Sequence, residues 1–474
     1  MMKNAVKNPI NAVKRALTIL MCALLAVCFA ACGGDNVPDV SSAASAESAA
    51  IISEPASESV SEAEAASAAQ SEEISAPEEI SEAISEPVSE PAPEESAAGE
   101  KKTLEKPAVF GCTMLYDGAY VLLGHCPEGA VIYCSASGTE YVTGSDHGWF
   151  SLRVKYTRAS EKVVLHAETE DGVSPELEYT SRPKRVDSDK WAIIAGKDYQ
   201  FHLDYTLQDF LHTNLYSNSQ IKSVTSSLKS RKTKTQAEVI YVVVPSPASV
   251  YPETMPEEYI ASQKGDTSKY DQLMQIFENA GVTYINVKEL FTEHKNDDYK
   301  LYWKTDSHWS EYGAYLVYKE LFDIISQKFP AASPRAFDEF EWKEGTFRGG
   351  DMAYYLEYAD NVMQEYNVAR IPKFEMPDAI KSVSRYVSAD KLTYDQDSMP
   401  AARTIETGRS ELPSALILRD SYSTQLYDIL AERFNKTIFK GMWSFSFNAQ
   451  EVKDSGVDYV IYILTERNIG SAFH

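Results

Sequence analysis

The chain has 474 residues, of which 70 are acidic and 45 are Lys or Arg, so its formal net charge is −25. No basic patch accompanies this acidity, which argues against nucleic acid as a partner. No nucleotide-binding loop or metal-ligand spacing is visible either, so we expect neither a cofactor nor a metal ion.

The N-terminal segment is similar to the leader of bacterial lipoproteins. Four basic residues precede an apolar run from Ala16 to Ala31, which is shorter than the roughly 20 residues that span a membrane. Small residues stand directly before Cys32, as in a lipobox. We predict a signal peptide at residues 1–31 and lipidation at Cys32, which would anchor the chain to the membrane outside the cytoplasm. An uncleaved N-terminal anchor is the alternative.

A Ser-, Ala-, Glu- and Pro-rich stretch follows at residues 32–105. From Asp35 to Glu100 it has 17 acidic residues, no basic residue and no aromatic residue. Such a composition buries too little apolar surface to offset the entropy cost of ordering, so we predict a disordered acidic linker. Its charge says nothing about the substrate.

The cysteines beyond Cys32 are Cys112, Cys126 and Cys134, and they lie close together. One disulfide among the three is possible outside the cytoplasm, and the sequence leaves the pair open. A zinc site that includes His125 is a weaker alternative, because the usual ligand spacing is absent.

Short strand-like segments separated by Gly- and Pro-containing turns indicate a small all-β domain at residues 106–184. Its pattern resembles that of immunoglobulin-like modules. We expect a spacer, with weak glycan binding as the alternative.

Residues 185–474 alternate between strand-like and helix-like segments, which favours an α/β sandwich with a mostly parallel sheet. The predicted strands are 191–195, 238–244, 282–287, 415–418 and 459–464. The predicted helices are 269–280 and 311–328.

Two places on this frame carry candidate chemistry. Asp306 and His308 are two residues apart before a helix that Ser310 can cap, so both side chains point to the same side if the segment is extended. Ser421 stands where a buried strand gives way to a helix, at the edge where open α/β sheets bind ligands. A surface histidine and a helix cap at Asp420 or Ser421 are the structural alternatives.

Read together, these segments resemble the DHHW proteins and the alginate O-acetyltransferases, which are SGNH-type domains. The resemblance rests on Thr305-Asp306-Ser307-His308-Trp309, on Asp420-Ser421-Tyr422, and more weakly on Arg348-Gly349-Gly350-Asp351. Arg419 departs from the glycine usual before Asp-Ser, and the Asp-to-His spacing is two rather than three.

The resemblance implies an SGNH-hydrolase-like three-layer sandwich and a Ser421-His308-Asp306 triad. It makes Arg419, Asp420, Tyr422, Asp351 and Trp309 candidates for oxyanion or substrate binding. It further implies acetyl transfer to hydroxyls of an extracellular or cell-wall polysaccharide, with a membrane-bound O-acyltransferase as the acetyl supplier. A carbohydrate or acyl esterase with the same triad and a non-catalytic glycan-binding or assembly protein remain alternatives.

Overall fold

The computed structural model describes residues 103–186, 192–358, 362–381 and 402–474, all of which belong to one compact unit that begins at Glu94. The predicted signal peptide, Cys32 and almost all of the acidic linker lie outside the described residues. Among the helices that the structure describes, none is long and apolar enough to cross a membrane.

The N-terminal part of this unit is an all-β domain of two sheets, as the sequence predicts. Strands β1, β2 and β5 form one antiparallel sheet, and β4, β3, β6 and β7 form the other, with β8 paired to β6. Apolar side chains of both sheets, such as Leu122 and Leu165, fill the space between them. The strands are β1 Ala108–Met114, β2 Ala119–His125, β3 Val131–Ala136, β4 Thr139–Thr143, β5 Trp149–Lys155, β6 Glu161–Thr169, β7 Gly172–Val173 and β8 Leu177–Ser181.

The three described cysteines are free thiols, so the structure does not contain the disulfide considered above. Burial raises the pKa of Cys112 and of Cys126 to about 11 and that of Cys134 to about 12. They are therefore protonated, packed side chains rather than reactive thiolates. His125 packs against the ring of Trp149 at a centroid distance of 3.9 Å and forms no metal-binding group with the cysteines among the described residues.

A six-stranded sheet forms the centre of the larger domain, in the order β12-β11-β18-β16-β17-β15. All neighbouring strands are parallel except β15, which runs antiparallel to β17 at the edge. The strands are β11 Glu238–Val244, β12 Thr283–Ile285, β15 Arg403–Glu406, β16 Ser414–Arg419, β17 Lys436–Phe439 and β18 Tyr459–Thr465. This is the mostly parallel sheet that the sequence predicts.

Helices cover both faces of this sheet, because its strands are apolar on both sides. In β11, Ile240 and Val242 belong to one hydrophobic cluster, whereas Tyr241 and Val243 belong to the cluster on the opposite face. The α-helices are α1 Leu207–Phe210, α2 Asn218–Lys234, α3 Pro247–Val250, α4 Glu257–Ile260, α5 Lys269–Ala280, α6 Val287–Glu293, α7 Glu311–Ser326, α8 Asp351–Tyr355, α9 Asp378–Lys381, α10 Tyr427–Glu432, α11 Ala449–Ser455 and α12 Ile469–Ala472. The predicted three-layer α/β sandwich is thus confirmed.

Within the described residues of the larger domain, four further strands lie outside the main sheet. β13 Phe340–Arg348 pairs with β14 Gln364–Pro372, and β9 Ile193–Ala195 pairs with β10 Phe201–Leu203, both antiparallel. The strand predicted at 191–195 is present as β9, but it lies outside the main sheet because a tight turn folds the chain back so that β10 pairs with it. Asp198 and Tyr199 in that turn have positive φ angles of 55° and 63°.

The β-domain and the α/β domain share a hydrophobic cluster. The outward face of β2, with Val121 and Leu123, packs with Tyr199, Phe201 and Met352 of the larger domain. Hydrogen bonds reinforce the contact. Gly144 N–H donates to Asp198 Oδ1 at 2.8 Å, and Asp198 N–H donates to Thr143 Oγ1 at 3.1 Å.

A chain that begins near residue 185 should therefore be less stable than one that begins near residue 105. The shorter chain exposes Tyr199, Phe201 and Met352, and burial of one large apolar side chain contributes about 1.5–3 kcal/mol. Denaturant unfolding of both chains measures the difference. Equal stability and solubility would show that the two domains are independent.

Candidate active site

The segment that carries Asp306 and His308 is held between a β-bridge and a helix. Tyr302 bridges Trp309, which closes the segment into a loop. Ser310 then caps α7, since its Oγ accepts from Gly313 N–H at 3.0 Å. Asp306 and His308 are buried, with 3% and 2% of their surfaces exposed.

Ser421 lies directly after β16, at the carboxyl edge of the main sheet. Asp420 N–H continues the pairing of this strand by donating to Ile463 O at 3.1 Å. The chain then enters a 3₁₀-helix, Ser421–Leu426, that leads into α10. The helix predicted after the strand therefore begins as a six-residue 3₁₀-helix and becomes α-helical only at Tyr427. Ser421 remains partly exposed at this turn.

The structure brings Ser421, His308 and Asp306 into one hydrogen-bonded chain. His308 Nε2 lies 2.8 Å from Ser421 Oγ, and His308 Nδ1 lies 2.7 Å from Asp306 Oδ1. The imidazole therefore faces a hydroxyl through one nitrogen and a carboxylate through the other. This is the arrangement in which a histidine can take a proton from the hydroxyl while the carboxylate fixes its tautomer.

Backbone groups hold the carboxylate of Asp306 in this orientation. Its Oδ1 accepts from His308 N–H at 3.0 Å, and its Oδ2 accepts from Asp351 N–H at 3.0 Å. Burial by itself would raise the pKa of Asp306, but the charge and the hydrogen bonds of His308 and these N–H groups lower it. A side chain at Gly350 would stand 2.2 Å from Asp306 Cβ, so this close approach requires glycine.

Asp351 supports the same loop from the other side. Its two carboxylate oxygens accept from Ser307 N–H at 2.7 Å and from Ser307 Oγ at 2.6 Å. Burial and the neighbouring charge of Asp306 raise the pKa of Asp351 to about 6. Among the described residues, Asp306, His308 and Asp351 are the one group whose atoms lie close enough together to hold a metal ion. The hydrogen bonds from backbone and from Ser307 already engage both carboxylates.

Asp420 is a structural anchor of the turn that carries Ser421. Its Oδ1 accepts from Tyr422 N–H at 3.0 Å, so it caps the 3₁₀-helix as one of the alternatives expected. Its Oδ2 accepts from Thr465 N–H, Thr465 Oγ1 and Asn468 Nδ2 at 2.7, 2.9 and 2.8 Å. A fully buried carboxylate with four donors positions the turn rather than a ligand.

Trp309 and Tyr422 join the two halves of the site. Trp309 Nε1 donates to Tyr422 O at 2.9 Å, and the Tyr422 hydroxyl donates to Ser307 O. The ring of Tyr422 lies 4.9 Å from that of His308. Both side chains are buried, so they fix the distance between His308 and Ser421 rather than present a surface to a sugar.

Arg419 lies apart from the site, contrary to the expectation that it binds substrate. Its side chain is 0% exposed, Nε donates to Lys440 O at 2.8 Å, and the guanidinium packs over the ring of Tyr427. As the last residue of β16, it points into a helix-covered face of the sheet. Arg419, the residue before Asp420 and Ser421, therefore packs in the interior of the domain.

Several residues of the site were not singled out from the sequence. Thr465 and Asn468 hold Asp420, and Arg467 lies between them along the chain. A signal was present, because Thr465-Glu466-Arg467-Asn468 is a polar run directly after an apolar strand. Glu365 gave no such signal, because it lies within a strand and reaches the loop from the side.

Glu365 accepts from Lys304 N–H at 2.6 Å and from Thr305 N–H at 2.7 Å, just before Asp306. Burial, together with the charges of Asp306 and Asp146, raises the pKa of Glu365 to about 8. The protonated form is therefore favoured by folding. The protonated side chain of Glu365 contributes fully to the free energy of unfolding below the ordinary pKa of a glutamate. This contribution is lost as the pH rises towards 8.

Glu365→Gln should therefore become more stable relative to the original chain as pH rises. Because the amide does not ionise, the gap should widen by up to about 1.4 kcal/mol for each pH unit between roughly 5 and 8. Denaturant unfolding of both proteins at pH 5, 6.5 and 8 measures it. A constant gap would mean that Glu365 ionises normally in the folded protein.

Comparison with known proteins finds a family model that matches part of the chain. Residues 207–400 match the family model of the SGNH hydrolase-like domain, acetyltransferase AlgX. This match confirms the predicted resemblance: residues 207–400 are similar to an SGNH hydrolase-like domain of the acetyltransferase type. The matched residues include Asp306, His308 and Asp351 and end before Ser421. No curated protein matches the chain.

Three solved structures from bacteria are similar to parts of the chain. A DHHW family protein from Eubacterium siraeum is 16% identical, with a TM-score of 0.40, and the match covers 66% of this chain and 92% of that one. Bacillus cereus PatB1 is 18% identical, with a TM-score of 0.39 and coverage of 60% and 96%. The O-acetyltransferase domain of Pseudomonas putida AlgJ is 15% identical, with a TM-score of 0.34 and coverage of 58% and 91%.

Proposed function

We propose that the chain is an O-acetyltransferase that acetylates hydroxyl groups of an extracellular or cell-wall polysaccharide. The observation that carries the proposal is the hydrogen-bonded chain from Ser421 Oγ through His308 to Asp306, with lengths of 2.8 and 2.7 Å. The SGNH acetyltransferase-type match of residues 207–400 supports acyl transfer as the reaction.

The proposed mechanism has two half-reactions that use the same three residues. Ser421 Oγ attacks the carbonyl carbon of an acetyl donor while His308 Nε2 takes its proton. The histidine then protonates the leaving group, which leaves an acetyl ester on Ser421. In the second half-reaction a sugar hydroxyl gives its proton to His308 and attacks this ester, and Ser421 regains a proton as the product leaves. Asp306 keeps the imidazole oriented throughout.

Transfer and hydrolysis are distinguished by the fate of the acetyl group. The protein is incubated with a chromogenic acetyl ester and candidate wall glycans, and both released chromophore and acetylated glycan are measured, the latter by mass spectrometry. Acetylated glycan that depends on Ser421 supports the proposal. Free acetate without acetylated glycan would favour the esterase. A fluorophosphonate probe that fails to label Ser421 would favour the non-catalytic alternative.

We further propose that Cys32 carries a lipid that anchors the chain outside the cytoplasm, and that a membrane-bound O-acyltransferase supplies the acetyl groups. The lipobox-like sequence before Cys32 motivates the anchor, and the resemblance motivates the partner. Cys32→Ala should release the protein from membranes or leave it unprocessed. A Cys32→Ala protein of mature size that stays in the membrane would contradict the anchor.

A further inference from the structure

Helix α2 is a basic segment in an acidic chain. Residues 210–237 contain five basic residues and no Asp or Glu, whereas residues 101–474 as a whole have 41 basic and 53 acidic residues. This local excess was not evident from the overall charge, because the acidic residues elsewhere outweigh it. The five basic residues all lie on α2 and are Lys222, Lys229, Arg231, Lys232 and Lys234.

One side of α2 packs on the domain, and the other faces solvent. Its apolar side chains, Leu228 among them, are buried in the hydrophobic cluster on this face of the main sheet. Lys222 and Lys229 are two helical turns apart and therefore share a side of the helix, where both are exposed. Lys232 and Lys234 near its end are exposed as well. We call these four residues the lysine face.

The lysine face has no carboxylate to neutralise it in the described part of the chain. None of its four side chains forms an ion pair there, whereas Lys300, for comparison, lies 2.6 Å from Asp146. Lys232 donates only to the backbone carbonyl of Gly281. Arg231 is not part of the face, because it donates to a buried tyrosine hydroxyl at 3.0 Å. Four positive charges are thus left to the solvent.

The stability of the helix does not account for this charge. Basic residues in the last turn complement the helix dipole, which explains Lys232 and Lys234. Lys222 and Lys229 stand too far from that end to benefit. Lys229 and Lys232 are three residues apart, and like charges at this spacing destabilise a helix. An external anionic partner would turn this repulsion into attraction.

The lysine face and Ser421 lie on different parts of the domain. α2 ends shortly before β11, and β11 runs parallel to β18, which runs parallel to β16. The last turn of α2 is therefore at the amino edge of the main sheet, and Ser421 is at the carboxyl edge. The seven residues of β11 separate the two edges by about 23 Å. A large flat partner can thus cover the lysine face and leave the Ser421 turn accessible.

We propose that the lysine face docks the domain on a membrane surface that contains anionic phospholipids. Lysine ammonium groups attract lipid phosphates without a fixed geometry. Because α2 exposes no large apolar side chain, this contact is electrostatic and reversible. The acidic remainder of the chain does not prevent the contact, since charges more than about 8 Å apart are largely screened at physiological ionic strength.

The lipid proposed at Cys32 favours a membrane over other anionic partners. It would hold the domain near the lipid surface and so raise the effective concentration of a weak contact. The inference goes beyond the proposed function, because docking does not depend on acetyl transfer.

Cosedimentation with lipid vesicles tests the proposed contact. The chain from residue 33 to residue 474, which lacks the lipid-bearing cysteine, is mixed with vesicles of phosphatidylcholine, alone or with an equal amount of phosphatidylglycerol. We expect binding to the mixed vesicles only, and binding that is at least about 10-fold weaker at 0.5 M salt than at 0.05 M. Replacing the four lysines of the face by Gln should lower the partition coefficient more than about 100-fold, because each lysine contributes about 5-fold.

The matched control removes the same number of positive charges from other exposed positions and should bind like the parent. Its four Lys→Gln changes are at Lys106, Lys155, Lys162 and Lys373. A second variant, Lys222→Gln with Lys229→Gln, keeps the last turn of α2 intact in case the fourfold variant is unstable. Its partition coefficient should fall about 25-fold.

Three outcomes would overturn the inference. The parent chain may not bind the mixed vesicles at low salt, its binding may survive the loss of the four lysines, or the control variant may lose as much binding as the fourfold variant. Binding of soluble oligo(glycerol phosphate) through these lysines, without binding to vesicles, would equally overturn it and identify a wall polymer as the partner. Because the vesicles contain neither acetyl donor nor glycan, each of these results leaves the proposed transferase standing.

Discussion

Ser421→Ala should reduce turnover of an activated acetyl ester to near background, a loss on the order of 10⁴-fold or more. His308→Ala should have the same effect, because the base that accepts the hydroxyl proton at 2.8 Å is then missing. The double variant should be hardly worse than either single one, since residues that act as one unit are not additive. Asp306→Asn should be milder but still large, because the imidazole loses the charge that orients it.

Ser423→Ala is the matched control for this series. Ser423 lies in the same 3₁₀-helix, and its hydroxyl donates to Asp420 O at 3.0 Å. Its loss should cost about 1 kcal/mol of stability and leave ester turnover in place. Melting temperature and activity are measured on the same samples. A folded Ser421→Ala protein with full activity would rule out the mechanism.

Asp420→Ala should be the most destabilising single change among the residues around Ser421. It removes the acceptor of four hydrogen bonds and leaves buried donors of Tyr422, Thr465 and Asn468 without a partner. Because each unpaired buried donor costs about 1–3 kcal/mol, we expect a total loss on the order of 3–5 kcal/mol. Denaturant unfolding gives this value directly, and activity should fall as well because the turn that carries Ser421 loses its anchor.

Asp454→Ala is a suitable comparison for Asp420→Ala. Asp454 is exposed on α11 and accepts a hydrogen bond from Gln450 at 2.7 Å. Its removal should change stability by no more than about 0.5 kcal/mol. If Asp420→Ala lowers the free energy of unfolding no more than Asp454→Ala does, the four hydrogen bonds to Asp420 do not stabilise the turn.

The features that the sequence predicted well are local ones. In the predicted strand Glu238–Val244, every residue after Glu238 is apolar, which is typical of a strand covered on both faces, and β11 has these bounds. The helix at 269–280 has a capping serine, Ser268, and a glycine, Gly281, in the left-handed conformation directly after its end. Such signals depend on neighbours in the chain and need no knowledge of tertiary contacts.

The shared cluster of the two domains was harder to predict, although it left a trace. Tyr120–Leu123 is apolar without alternation, whereas one face of a free sandwich would be polar. The run indicates that both faces of β2 are covered. The run does not identify the residues that cover the second face, because these residues, Phe201 and Met352 among them, follow much later in the chain.

The residues of the candidate site also fall into two groups, those that the sequence reveals and those that only the fold brings together. Asp306, His308 and Ser421 were recognisable because their types and short spacings carry chemistry. Arg419 was misjudged because its side-chain direction depends on the pleat of β16 and on which face α10 covers. Glu365 lies on β14 and Arg467 follows β18, and only the fold brings these two residues near the loop and the turn of the site.

The position of β18 has a consequence for when the site can form. This strand lies between β11 and β16 in the sheet, yet it is synthesised after both of them. Until residues 459–468 have emerged, β11 and β16 have no strand to join them, and Asp420 has no partners from Thr465 and Asn468. Pairing across such long separations is a late event in folding. We therefore expect a chain still in the course of synthesis to lack the turn that presents the Ser421 hydroxyl to His308.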